Sequence, residues 1–134
     1  MMVEVPLAGF AAERATQEQR DAMTVALAEI ETHLDDYDAI TDCYARFYRE
    51  MAEAAQNRVA GAMHMWTFVV LQPKLRELLA DTIEETTMLH RHQAILNAIT
   101  SRKPTAARRA MARHIEALQD DVAALSGGPD GTAS

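Results

Sequence analysis

Along most of the chain apolar side chains return every three or four residues, as on one face of an α-helix, and no alternation lasts long enough to argue for a strand. Val3, Leu7 and Phe10 form the first such face, with Pro6 tolerated because it lies near the helix start. Thr16 and Gln19 have the spacing of a capping box and open a second helix seamed by Met23, Leu27, Ile30 and Leu34. The LDDYD cluster closes it, and Asp38 is placed to cap a third helix. That helix is seamed by Ile40, Tyr44, Phe47, Met51 and Ala55, with Tyr48 one turn beyond Tyr44 on the same side. Asn57 marks a break. A fourth helix carries Val59, Met63, Trp66 and Val70; being apolar nearly all round it is predicted to be central, with Pro73 ending or kinking it before a short KLRELLA segment. His64 lies off that seam and reads as partly exposed or packed. Asp81 and Glu84 suggest a second capping box, opening a fifth helix that runs through His92 to about Arg102, and Pro104 suits the first position of a sixth. The pattern predicts an all-α antiparallel bundle of about six helices, one domain over residues 1–126, and a disordered tail over 127–134 where periodicity stops.

Composition agrees with that class and narrows the partners. With 134 residues the chain can bury a core without disulfides or metals, and Gly and Pro are sparse, at five and four. Thirteen basic against twenty acidic residues leave a formal charge of −7, which repels a phosphate backbone, so stand-alone nucleic-acid binding is disfavoured. Arg102, Lys103, Arg108, Arg109 and Arg113 gather at one helix start without interleaved aromatics, as on a solvated face or a docking surface for another domain. The lone Cys43 excludes an internal disulfide and fits a reducing compartment. The longest apolar run, MWTFVVL, is too short to span a bilayer, and no signal peptide is visible; a cytoplasmic protein without membrane contact is the expectation.

Two seams each contain one imidazole. Met88, His92, Ile95 and Ile99 share one face, and Ala107, Met111, His114, Leu118, Val122 and Leu125 another. A buried polar ring needs a partner, so both positions demand a reason. His90, about 200° round the helix from His92 at about 100° per residue, belongs to the solvent side. If the helices are neighbours, Tyr44, Tyr48, His92 and His114 converge on one interior hollow, offering donors to a carboxylate or hydroxyl and an acceptor wherever an imidazole is neutral. The alternative is four core residues that merely satisfy one another in a dimerisation module. An all-α enzyme with His92 or His114 as general base is a further alternative. It lacks a recognisable nucleophile or oxyanion cluster, and the chain has no Glu-x-x-His pair, His-Glu-x-x-His motif, Gly-rich phosphate loop or Gly-x-Ser-x-Gly elbow. A non-enzymatic protein is therefore expected.

The stretch LHRHQAILNAITSRKPTAARRAMARHI resembles the closing motif of the FCD domain, the effector-binding half of FadR-type regulators in the GntR transcription-factor family. His92, Ala98, Met111 and His114 occupy the motif positions, LAGFAAERAT resembles the domain's first helix and following turn, and RFYREMAEAAQN its Phe-His helix ending in Asn. The resemblance covers residues 4 to about 125. It implies a FadR C-terminal-domain-like bundle, a small organic acid or related metabolite as effector, a homodimer, and DNA contact only through an N-terminal winged helix-turn-helix domain that nothing here supplies. The opening in mid-pattern at Met1 suggests a truncated chain or a free-standing sensor. Many members hold a divalent metal through Asp and His of an Asp-x-x-Phe-His run together with the two later histidines. Alignment on Phe47 and Asn57 puts Tyr44 and Tyr48 at those first two positions, while Asp42 is two residues off register. Neutral phenols are poor partners for zinc or nickel, so no cofactor is expected. A metal held by His92 and His114 alone is the alternative. The predicted ligand-binding residues are Tyr44, Tyr48, His92 and His114.

Overall fold

The computed structural model describes residues 3–79 and 84–126. Among them are six helices: α1 (Glu4–Arg14), α2 (Gln17–Ile30), α3 (Tyr37–Ala55), α4 (Arg58–Leu79), α5 (Glu85–Thr100) and α6 (Pro104–Ser126). They pack as an all-α bundle, the class that the 3.6-residue periodicity predicts. None of them is long and apolar enough to cross a membrane. The predicted tail over 127–134 and the predicted cap at Asp81 lie outside the described residues.

Local chemistry fixes the helix ends. The Thr16 hydroxyl accepts from the Gln19 backbone N–H at 3.1 Å, and the Gln19 side chain accepts from Thr16 N–H at 3.0 Å, a complete capping box. Asp36, rather than the expected Asp38, caps α3 by accepting from Ala39 N–H at 3.2 Å. The carboxylate of Asp38 instead takes a hydrogen bond from Arg76. Gln56 ends α3 in the left-handed region and Asn57 caps α4, accepting from Ala60 N–H at 3.0 Å. A Schellman turn closes α5: Arg102 N–H donates to Ile99 and Lys103 N–H to Ala98, with Arg102 at φ 56° and Pro104 directly beyond.

Leu7, Met23, Leu27, Ile30, Phe47, Met51, Ile95, Ile99 and Met111 are fully buried and tie α1, α2, α3, α5 and α6 into one core. Helix α1 lies in its middle, against α3, α5 and α6. Gly9 permits the close approach to α6, since a Cβ there would stand 2.9 Å from Arg108 Cγ. Two seams end earlier than expected. The second helix stops at Ile30, which leaves Leu34 in the following turns and 40% exposed, and Leu125 near the end of α6 is 44% exposed.

Helix α4 departs furthest from expectation. It flanks the bundle rather than occupying its centre, packing chiefly on α3, and its apolar stripe faces solvent: Val59 is 72% and Trp66 69% exposed. The inward face is the less apolar one, containing Gly61, His64 and Phe68. Gly61 lets α4 approach α3, where a Cβ would meet that of Ala52 at 3.1 Å. The helix also continues through Pro73 into the KLRELLA segment. The bond that proline cannot donate would end on the carbonyl of Val69, itself 67% exposed, where water can replace it.

Candidate functional site

Tyr44, Tyr48, His92 and His114 meet inside the bundle, each no more than 7% exposed. Helix α3 supplies both tyrosines because residues four apart share a face, and α5 and α6 each supply one histidine from an otherwise apolar seam. The His92 ring lies between Tyr44 and His114, with ring centroids 4.4 Å away on each side. Its Nδ1–H donates to the Met88 carbonyl at 2.9 Å, which fixes the tautomer; Nε2 therefore accepts from the Tyr48 hydroxyl at 2.7 Å.

Two further groups belong to the cluster although the sequence did not single them out. His64 is 5% exposed, the packed one of the two roles open to it, and its ring lies 4.6 Å from that of Tyr48. Its Nδ1 bonds a Glu4 carboxylate oxygen at 3.0 Å, joining α4 to the first turn of α1. Gly61, His64 and Phe68 form the faint inward stripe that would have revealed His64, but the stronger apolar stripe on the same helix masks it. No local pattern marks Glu4.

Burial dominates the electrostatics. It drives His114 down to about 4, helped by the positive field of Arg91 and partly offset by Glu4, and it drives His92 well below the ordinary imidazole range, with His114 and Arg91 adding to the effect. Both rings are neutral at pH 7, so neither provides the protonated imidazole that could have attracted an acid. Burial likewise holds both phenols protonated, with Glu85 and Cys43 adding to the effect at Tyr44, and Tyr44 and Glu4 adding to it at Tyr48. Burial opposes ionisation of Glu4, but hydrogen bonds led by that from His64 outweigh it and bring the carboxyl to about 2.

The cluster borders a cavity of about 540 Å³ lined by α3, α4, α5 and α6 with the start of α1. Three lining residues contain a buried polar atom without a hydrogen-bond partner among the described residues: the Tyr44 hydroxyl, His64 Nε2 and His114 Nδ1. Native interiors rarely leave such atoms unsatisfied.

A family profile described as the FCD domain matches residues 1–117. The chain belongs to the FCD domain family. It is 30% identical over 131 residues to the HTH-type transcriptional repressor NanR of Cronobacter sakazakii, an alignment covering 94% of this chain and 49% of that protein. The chain thus spans about half the length of that relative. As an FCD domain it is a member of a family of regulatory domains.

The divalent metal that the FCD resemblance implies can be tested against the donor set. The only lone-pair nitrogen of His92 already accepts from Tyr48, and the phenols at the positions of the missing Asp and His stay protonated. Asp42 is exposed and turned away. No group of three or more His, Cys, Asp or Glu among the described residues is arranged to share an ion. The residues present do not fit such a metal.

Proposed function

We propose that this chain is the effector-sensing domain of a GntR-family, FadR-type transcriptional regulator, and that it binds a small organic acid or related metabolite in the bundle-core cavity without a metal. The observation carrying this reading is the pairing of a roomy cavity with three buried polar atoms in its wall that find no partner among the described residues. A guest bearing hydrogen-bonding groups would satisfy them, and an apolar wall with few convergent polar groups is the usual character of a small-molecule site. The cavity also argues against a module whose core polar residues only satisfy one another, since that arrangement needs no empty volume.

Tyr44 and His114 contact the effector in this reading, with His64 beside them. The Tyr48–His92 pair forms the floor and holds the rings in position. Effector binding would bias helix packing and thereby the spacing of DNA-binding domains attached to such a regulator. Thermal-shift screening of organic acids tests it. Stabilising hits should lose most of their effect in Tyr44→Phe, Tyr48→Phe and His114→Ala while the helical circular-dichroism spectrum persists. Hits indifferent to all three substitutions would place binding elsewhere.

A further inference from the structure

The cavity is long and graded along the bundle axis. On α4 its wall runs from His64 to Arg76, twelve residues and therefore about 18 Å of helix, and the stretch from Tyr37 to Tyr48 on α3 spans about 16 Å. These helices run in opposite directions, so His64 and Tyr48 lie at one end while Arg76 and Tyr37 lie at the other, where the Arg76 guanidinium stacks 4.9 Å over the Tyr37 ring. The histidine end is closed, its rings 4–7% exposed. The Arg76 end opens to solvent, with Tyr37 36% exposed. Between them the wall is mostly apolar, formed largely by Ile40, Phe68, Leu71, Met88, Ile115 and Leu118, with Thr41, Thr67 and Gln72 among its polar members.

The two polar ends have opposite preferences. At the closed end the Glu4 carboxylate takes up one nitrogen of His64, and the neutral His114 ring with the protonated Tyr44 phenol completes the set. Such a group offers both a donor and an acceptor, as a hydroxyl requires, and the nearby Glu4 carboxylate disfavours an anion. Among the described residues Arg76 at the mouth is the cationic group of the wall, which also contains the Glu85 carboxyl within the field of that guanidinium. Its partner Asp38 is 88% exposed, and a pair so exposed is held weakly enough for a ligand carboxylate to compete.

On the basis of the proposed receptor cavity, we infer that its occupant is an elongated amphiphilic hydroxy acid: a hydroxyl head between Tyr44, His64 and His114, an apolar body along the bundle axis, and a carboxylate at Arg76. A compact polycarboxylate fits neither the apolar wall nor a closed end that already holds the Glu4 carboxylate.

Calorimetric titration with 8-hydroxyoctanoate, octanoate, 1,8-octanediol and citrate tests this. 8-Hydroxyoctanoate should bind on the order of tenfold more tightly than octanoate, the worth of one hydrogen bond to a buried group, and citrate should not bind measurably. Tyr44→Phe and His64→Gln should each erase most of the advantage over octanoate. Arg76→Gln should weaken both acids on the order of tenfold and leave the diol unchanged. Citrate binding that is abolished by Tyr44→Phe would overturn the amphiphile and leave the receptor cavity standing. Eight-carbon acids that bind equally well to all three variants, or none that bind to the folded native chain, would also overturn the inference; the wider acid screen decides the cavity separately.

Discussion

Tyr44 and Tyr48 are one turn apart on α3, equally buried, yet removal of their hydroxyls should affect the empty protein in opposite directions. Tyr48→Phe deletes the donor to His92 Nε2 and leaves that nitrogen buried without a partner. The cost of one such orphaned group is about 1–3 kcal/mol. The Tyr44 hydroxyl has no partner among the described residues, so Tyr44→Phe removes a desolvated polar atom and keeps the ring against His92. Stability should then stay level or rise by about 1 kcal/mol. For a domain of this size 1 kcal/mol corresponds to a midpoint shift of roughly 4 °C, so the variants should separate by roughly 4–16 °C in thermal unfolding. A double-mutant cycle of Tyr48→Phe with His92→Leu should return a coupling of about 1 kcal/mol or more, whereas the cycle with Tyr44→Phe should return little. Equal losses from the two tyrosine variants, or additivity of Tyr48→Phe with His92→Leu, would refute the hydrogen-bond assignment. The same Tyr44→Phe protein should bind effector worse, separating the receptor role of that hydroxyl from any structural one.

Three further outcomes follow from the geometry. Because burial takes His114 from 6.5 to about 4 and lowers His92 as well, the unfolded chain takes up protons first as pH falls. Stability should be complete above about pH 6.5 and decline towards pH 4, by on the order of 3 kcal/mol from His114 alone; urea midpoints against pH should flatten in His114→Gln. Arg102→Gly, at the left-handed residue closing α5, should raise stability by about 1 kcal/mol in urea unfolding, because glycine adopts that conformation without the Cβ clash. Thr16→Ala should cost about 1 kcal/mol in the same assay through loss of the capping box on α2.

The bundle was readable from sequence because its principal seams repeat at helical spacing, and the capping box at Thr16 and the helix start at Pro104 are local signals that tertiary structure had no reason to override. The four rings were also readable as candidates, since Tyr44, His92 and His114 each interrupt an apolar seam and Tyr48 lies one turn beyond Tyr44; their convergence followed only if those helices were neighbours. Helix α4 was not. Its Val59, Met63, Trp66 and Val70 stripe has the periodicity of a core face, but packing turns the Gly61 and His64 face inward, where a small residue meets α3 and an imidazole meets Glu4. Periodicity says that a face is apolar and cannot say what covers it. The Glu4–His64 pair joins residues sixty positions apart, a contact that no local pattern encodes.

The central claim is a metal-free receptor cavity in the core of the bundle. Native mass spectrometry of the chain after exposure to a metabolite extract and equimolar zinc tests it most directly. The account predicts one added organic mass on the native protein, absent from the Tyr44→Phe, His114→Ala double variant, and no zinc adduct. A stoichiometric zinc adduct lost on His92→Ala, or an organic mass retained equally by the double variant, would contradict it.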